Sequence, residues 1–354
     1  MFAAETSAVP IPVPDVPSGE SPPDWKQIIQ SVDPFLQRVA DQLADQIQAF
    51  DPDIAAYAEY ALTAQGKQLR PALVALSGNA TGRTNESHVL VAVIIEMVHL
   101  ATLVHDDVMD EAEVRRGRPT LAANWGNELS VLLGDCLFAH AVKLAADFPT
   151  PEICRAVAAA TNTVCAGEIV QTRQRRNFRL SRADYFRAIE MKTGELFALS
   201  CDLGALQSNA TTSQRAVARH YGLALGTAYQ IYDDCLDLFG NEAAAGKSLG
   251  TDLAKGKLTL PVLMLLERAG AGDRAEIETW LRDWSPAGLP PLLQRLAQFD
   301  ALAASREVIR QLLGKARQAL EGLPPSESRR SLNGLTDFLL QQVDALGETS
   351  RLAL

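Results

Sequence analysis

The chain has 354 residues, 47% of them hydrophobic and 21% charged, enough to bury the core of one large domain or two modest ones. Its formal net charge of −10 argues against a nucleic-acid partner, because phosphate binding needs a basic surface. Five dispersed cysteines (Cys136, Cys154, Cys165, Cys201, Cys235) lack CxxC spacing and read as reduced thiols of a cytoplasmic protein.

Residues 1–24 hold many prolines, an early Glu5 and no basic residue, unlike a secretory signal or a transit peptide. They are predicted to form a disordered, proline-rich tail ahead of a single domain over 25–350. From Trp25 onward, apolar residues recur at helical spacing, as in Ile28, Ile29, Val32, Phe35, Leu36 and again in Leu90, Val93, Ile94, Met97, Val98. No unbroken run of 18 apolar residues occurs, so no transmembrane span is predicted. Helix stops are expected at Asp51-Pro52, Gly78-Asn79, Pro149-Thr150-Pro151, Gly240, Gly246 and Ser285-Pro286. Capping logic starts one helix at Ser181 and another at Thr212 or Ser213. The pattern predicts an all-α, single-domain bundle of roughly a dozen helices. Residues 270–345 carry helical patterns without recognisable chemistry and are expected to complete the core or a subunit interface.

Two aspartate clusters stand out, DDVMD at Asp106–Asp110 and DDCLD at Asp233–Asp237, each after an apolar run. On a helix Asp106 and Asp110, like Asp233 and Asp237, are i and i+4, with Cβ atoms ~5–6 Å apart on one face. Two bare carboxylates that close repel by roughly 3 kcal/mol at an effective dielectric constant of 20. Hard divalent cations offset that repulsion, and an oxygen-only ligand set favours magnesium. One such cluster is as often a solvated acidic helix end. Two copies, both followed by basic residues, favour the metal.

The basic residues are Lys67 and Arg70 in QGKQLRP, Arg115 and Arg116 after the first cluster, Lys192 in EMKTGEL, and Lys247 and Lys257 after the second. Any one alone is an ordinary surface charge. Carboxylates facing cations in an acidic chain suggest an anionic ligand held between them, and magnesium diphosphate under an arginine clamp is the simplest. No GxxxxGK[ST] follows a strand, so an NTPase or kinase is not indicated.

Taken in order, GKQLRP, HLATLVHDDVMDEAEVRRGRPT, GDCLFA, GEIVQ, MKTGEL and YQIYDDCLDLFG…GKSLGTDLAKGKLTLP make residues 40–265 resemble the trans-isoprenyl diphosphate synthases. The resemblance implies an all-α bundle of the isoprenoid synthase type, a homodimer, with a deep central cavity between the two clusters. It implies three magnesium ions, with Asp106, Asp110 and Asp233 as ligands and Asp237 near the third ion through water. It places Arg115, Lys192, Thr193, Gln230, Lys247 and Lys257 on the allylic diphosphate, and Lys67, Arg70, His99 and Arg116 on isopentenyl diphosphate. Asp107 and Asp234 would support the site, His105 would pack beside it, and Cys235 would be core. Gln65 and Gln68 depart from the usual GGKRLRP, and GKSLGTDL lacks a common proline.

In such enzymes the residues just before the first cluster set product length. Here Ala101 and Thr102 are small, about 6–8 Å down the helix, with Val98 and Met97 about 12–14 Å down. A long-chain product of heptaprenyl to nonaprenyl size, for a quinone side chain, is therefore expected, and Ala101→Phe should shorten it. The alternatives are a short-chain farnesyl or geranylgeranyl diphosphate synthase and a non-catalytic partner subunit. A terpene cyclase would show one DDxxD and have no use for the Lys67/Arg70 pair. The expected enzyme is cytoplasmic, and its apolar product would bring it to the bilayer surface.

Overall fold

The computed structural model describes residues 25–63, 66–241 and 249–347. The proline-rich tail over 1–24, Gln65, Lys247 and residues 348–350 lie outside the described residues. Fourteen helices of eight or more residues occur among the described ones: α1 (Asp33–Gln46), α2 (Pro52–Leu62), α3 (Leu69–Thr81), α4 (Glu86–Met109), α5 (Asn127–Ala146), α6 (Glu152–Arg173), α7 (Arg182–Ile189), α8 (Glu195–Gln207), α9 (Thr212–Phe239), α10 (Leu260–Arg268), α11 (Ala271–Arg282), α12 (Leu289–Gln298), α13 (Ala301–Leu320) and α14 (Glu327–Ala345). A two-stranded ribbon, Val114–Arg115 against Arg118–Pro119, is the sole sheet among them. The all-α expectation holds.

The helices begin where side-chain acceptors can take their orphan N–H groups. Asn85 and His88 form a capping box on α4, and Ser181 accepts from Asp184 N at the head of α7. The start of α9 differs by one residue from the sequence reading. Thr211 is the N-cap, because only from there does its hydroxyl meet Gln214 N while Gln214 bonds back to Thr211 N. One apolar core runs from Ile28 to Leu346, so the segment after Gly270 does complete it through Ile309, Leu313, Leu335 and Leu339.

Helix α4 is the axis of the fold. Val91, Ala92, Val93, Ile94 and Ile95 are all without solvent exposure, so the helix is apolar on every side because it is enclosed on every side. It packs against α1, α3, α5 and α8, while α8 also lies along α9, and α9 along α13. By length and composition α4, α5 and α6 are apolar enough to cross a membrane. The reading from unbroken runs missed this because isolated polar residues interrupt each helix. Of the three most apolar windows, 72% is buried inside the fold for α4 but only 39% for α5 and 28% for α6. These two leave Val131, Leu132, Val142 and Ile169 exposed.

His88 fastens two helix ends together, the start of α4 and the end of α8. Its Nδ1 accepts from Asn85 N (3.0 Å), and its Nε2 lies 3.1 Å from Gly204 O and 2.9 Å from Ser208 Oγ. Burial holds its pKa below the ordinary imidazole value, while the Gly204 carbonyl pulls the other way. The unfolded chain therefore takes this proton first as pH falls, and the stability His88 contributes is lost below about pH 6.5. The stability gap between the native protein and His88→Gln should narrow from ~pH 7.5 to ~pH 5.5, as read by denaturant midpoints.

Candidate active site

A cavity of about 1490 Å³ opens between α4, α5, α6, α9 and the segment after α9. Its volume exceeds the usual range for small-molecule pockets. Asp106 and Asp110 on the last turn of α4 and Asp233 on α9 all line it. The i, i+4 reasoning holds for Asp106 and Asp110, which share the cavity face.

The second cluster is used differently. Asp237 is buried and absent from the cavity wall; its Oδ1 accepts from Thr251 Oγ1 (2.6 Å) and its Oδ2 from Asp252 N (3.1 Å). It caps the turn Thr251–Ala254, and the resemblance implies contact with the third ion only through water. Asp234 accepts from Tyr185 Oη (2.5 Å) and Gln230 Nε2 (2.9 Å). Burial raises its pKa well above the carboxylate range, and the Asp252 carboxylate adds to the rise.

Cations crowd the first cluster. Lys257 Nζ lies 3.1 Å and Lys255 Nζ 3.3 Å from Asp110 Oδ2, and Arg175 Nη2 lies 3.3 Å from its Oδ1. Burial alone would raise the Asp110 pKa, but Lys257 and Lys255 hold it below the usual value. Asp107 pairs with Arg115 at 2.7 Å. Asp106 lies 3.4 Å from Lys192 Nζ, which also touches Glu168 and donates to Gln171 Oε1 (3.4 Å). Burial raises the Asp106 pKa, offset by Lys192 and reinforced by the Glu168 charge. Lys255, Arg175, Glu168 and Gln171 were not assigned a place by the sequence. The GEIVQ motif contained two of them, and their role depends on which helix faces α6.

Lys192 and Thr193 sit on one π-helical turn, Glu190–Gly194, inserted between α7 and α8. The widened turn re-aims successive side chains, a device often found at functional sites. Thr193 Oγ1 donates to Gln230 Oε1 (2.6 Å), so Thr193, Gln230, Asp234 and Tyr185 form one hydrogen-bonded chain across α9. Gly167 on α6 lets this turn approach: a Cβ there would stand 2.7 Å from Lys192 N.

Lys67, Arg70, His99 and Arg116 line the same cavity. Lys67 Nζ stands 5.6 Å from the centre of the Phe338 ring on α14, and the Arg70 guanidinium 5.0 Å from that of Phe197. Arg116 and Gly117 both adopt positive φ (52° and 75°), as a two-residue hairpin of the I′ kind requires. Glu96, one turn before His99, is buried among these cations. Burial raises its pKa, while Arg70 and Arg116 oppose the rise. His99 is kept neutral, its pKa held well below the imidazole value by burial and then by Arg70 and Arg116. It therefore offers one N–H donor.

The residues expected to form the floor are divided between the cavity wall and the core. Thr102 lines it, with Leu103 and His105, but Ala101, Val98 and Met97 are enclosed in the core and do not. At 100° per residue, positions 99, 102, 103 and 106 share one face of α4, while 97, 98 and 101 turn away from it. The facing walls are Val131 and Phe138 on α5 and Val164, Cys165 and Ile169 on α6. The Phe138 and His105 rings pack with centroids 5.6 Å apart. Cys235 is core, as expected.

Donors and volume fit a metal-bridged anion. Asp106, Asp110 and Asp233 offer oxygen ligands only, and among the described residues no three His, Cys, Asp or Glu side chains converge into a complete cage. Magnesium is commonly held so, through one or two carboxylates plus substrate phosphates.

Residues 51–287 match the family profile described as polyprenyl synthetase. The heptaprenyl diphosphate synthase component 2 of Bacillus subtilis is 36% identical over 78% of this chain and 79% of its own length. The octaprenyl diphosphate synthase of Haemophilus influenzae is 33% identical over 87% of this chain and 94% of its own. Among solved structures, a polyprenyl synthase from Caulobacter crescentus, complexed with calcium and isoprenyl diphosphate, superposes with a TM-score of 0.85. It is 31% identical and covers 91% of this chain and 99% of its own.

Gly167→Ala should push the π turn off α6. The expected result is about 1–3 kcal/mol of lost stability by thermal unfolding, with turnover reduced about tenfold through misplacement of Lys192.

Proposed function

The chain belongs to the polyprenyl synthetase family of prenyltransferases, and on that premise we propose that it elongates an allylic diphosphate with isopentenyl diphosphate to a long all-trans chain. The observation that carries the reading is one cavity lined both by Asp106, Asp110, Asp233 and lysines, which suit one diphosphate, and by Lys67, Arg70, His99 and Arg116, which suit a second. Magnesium at Asp106, Asp110 and Asp233 would draw charge from the leaving diphosphate and so ease ionisation of the allylic carbon–oxygen bond. Lys192, Lys257 and Arg115 stabilise the same developing charge, and Thr193 and Gln230 orient the phosphate. Lys247, outside the described residues, keeps its expected place in this set. Lys67, Arg70, His99 and Arg116 hold isopentenyl diphosphate so that its double bond attacks the allylic carbon at close range. A carbon–carbon bond forms, and the proton lost from the new unit passes to the released diphosphate.

Small Thr102 supports the long-chain reading because it leaves the way open past the first cluster, toward a wall formed by Phe138. The product suits a quinone side chain. Exposed Leu132 and Val142 on α5 fit a homodimer surface, and the acidic chain acts in the cytoplasm with its product bringing it to the bilayer surface.

Purified chain incubated with magnesium, farnesyl diphosphate and isopentenyl diphosphate should yield heptaprenyl to nonaprenyl diphosphate, read by chromatography of the dephosphorylated alcohols. Arrest at farnesyl or geranylgeranyl length would replace this reading with a short-chain synthase. No consumption at all would mean a partner subunit. Asp106→Ala or Asp233→Ala should lower kcat by about 10²–10³-fold. Phe138→Ala should shift the product distribution to longer chains; an unchanged distribution would remove Phe138 from the wall.

A further inference from the structure

Asp110 is answered by three cations, and two of them, Arg175 and Lys255, have no part in the set just described. We propose that Arg175 and Lys255 are additional diphosphate-binding groups that occupy Asp110 until diphosphate arrives, so that the first cluster takes metal and diphosphate together. The inference rests on the prenyl-transfer reading and deepens it.

The placement is built into the backbone. Arg176 N donates to Gly256 O at 2.7 Å, joining the end of α6 to the Lys255–Gly256–Lys257 segment. Gly256 sits at φ +72°, and a Cβ there would stand 2.6 Å from Arg176 Cγ, so the two strands of chain meet at a glycine. Arg175 and both lysines flank this one hydrogen bond, and all three reach the same carboxylate. Arg175 uses only Nη2 there; its Nε is buried and has no hydrogen-bond partner among the described residues. Arg175 stands behind Asp110 and outside the cavity wall, so its guanidinium, with donors to spare, meets a phosphate oxygen where Asp110 turns to the metal.

Charge argues the same way. Around the first cluster the carboxylates Asp106, Asp107, Asp110 and Glu168 are held by ion pairs with Lys192, Arg115, Arg175, Lys255 and Lys257. A divalent cation entering alone must displace ammonium groups from the oxygens it needs. A diphosphate entering with it supplies new acceptors for the displaced groups. The lysines can follow, because each carries its charge on a flexible four-carbon stem.

The test uses the full chain and two probes, Mn²⁺ titrated alone by electron paramagnetic resonance, and inorganic diphosphate titrated with saturating magnesium by calorimetry. Lys255→Gln and Arg175→Gln should each bind Mn²⁺ alone about three- to tenfold more tightly, and diphosphate about three- to tenfold more weakly, than the native protein. The opposite signs separate this role from a merely structural one, which would weaken both. Thermal midpoints confirm that the variants are folded, and two substitutions on different elements guard against one of them failing. Unchanged affinities, or a loss in both titrations, would overturn the proposal. A native chain that binds no diphosphate with magnesium would overturn the prenyl-transfer reading along with it.

Discussion

Charge compensation within a largely dehydrated wall governs the arrangement around the cavity. Helix α4 is enclosed along most of its length, so its terminal aspartates emerge from a region of low polarizability in which an unanswered carboxylate is costly. Each is therefore answered from another element: Asp106 by Lys192, Asp107 by Arg115, Asp110 by Lys257, Lys255 and Arg175. Those answers tie α4 to α6, to the π turn, to the ribbon and to the segment after α9. The same contacts that neutralise the aspartates thus gather the cations that a diphosphate needs.

The backbone departs from regular geometry where this gathering requires it. Lys192 and Thr193 point as they do because a π-helical turn interrupts the α7–α8 helix. Arg116 reaches the cavity from a hairpin that holds it at positive φ, an uncommon state for a residue with a side chain. Asp237 bonds the turn Thr251–Ala254 and so steadies the segment that carries Lys255 and Lys257. An aspartate that resembles a metal ligand in sequence thereby becomes a brace for two cations.

The polar and apolar halves of the cavity are organised by different physics. The polar half is a network in which every charge depends on another, so single residues act in concert. The apolar half depends on shape, since a growing hydrocarbon loses water wherever the wall admits it. Thr102 opens that wall and Phe138 with His105 narrows it. Residues 270–345, silent in chemistry, still touch the site, because Phe338 of α14 stands beside Lys67.

Much of this was legible in the sequence because it is local. Helical periodicity is a property of neighbouring residues, and it sufficed for the all-α fold. The spacing of Asp106 and Asp110 fixes their common face whatever surrounds them. Lys67, Arg70, His99 and Arg116 were likewise singled out by their motifs, and all of them line the cavity. What spacing could not decide was which face of a helix meets the cavity and which meets the core. Asp237 shares its i, i+4 relation with Asp233, yet a turn 14 residues later captures it through Thr251. Ala101 adjoins Thr102, yet one faces the core and the other the cavity. Glu168, Arg175 and Lys255 acquire their places only when α6 and the segment after α9 close on α4. The sequence by itself determined the helices, the aspartates and the class of ligand, since those follow from residue type at short separation. Tertiary structure alone decided the partner of each charge, because partnership depends on distances between segments that no local spacing encodes.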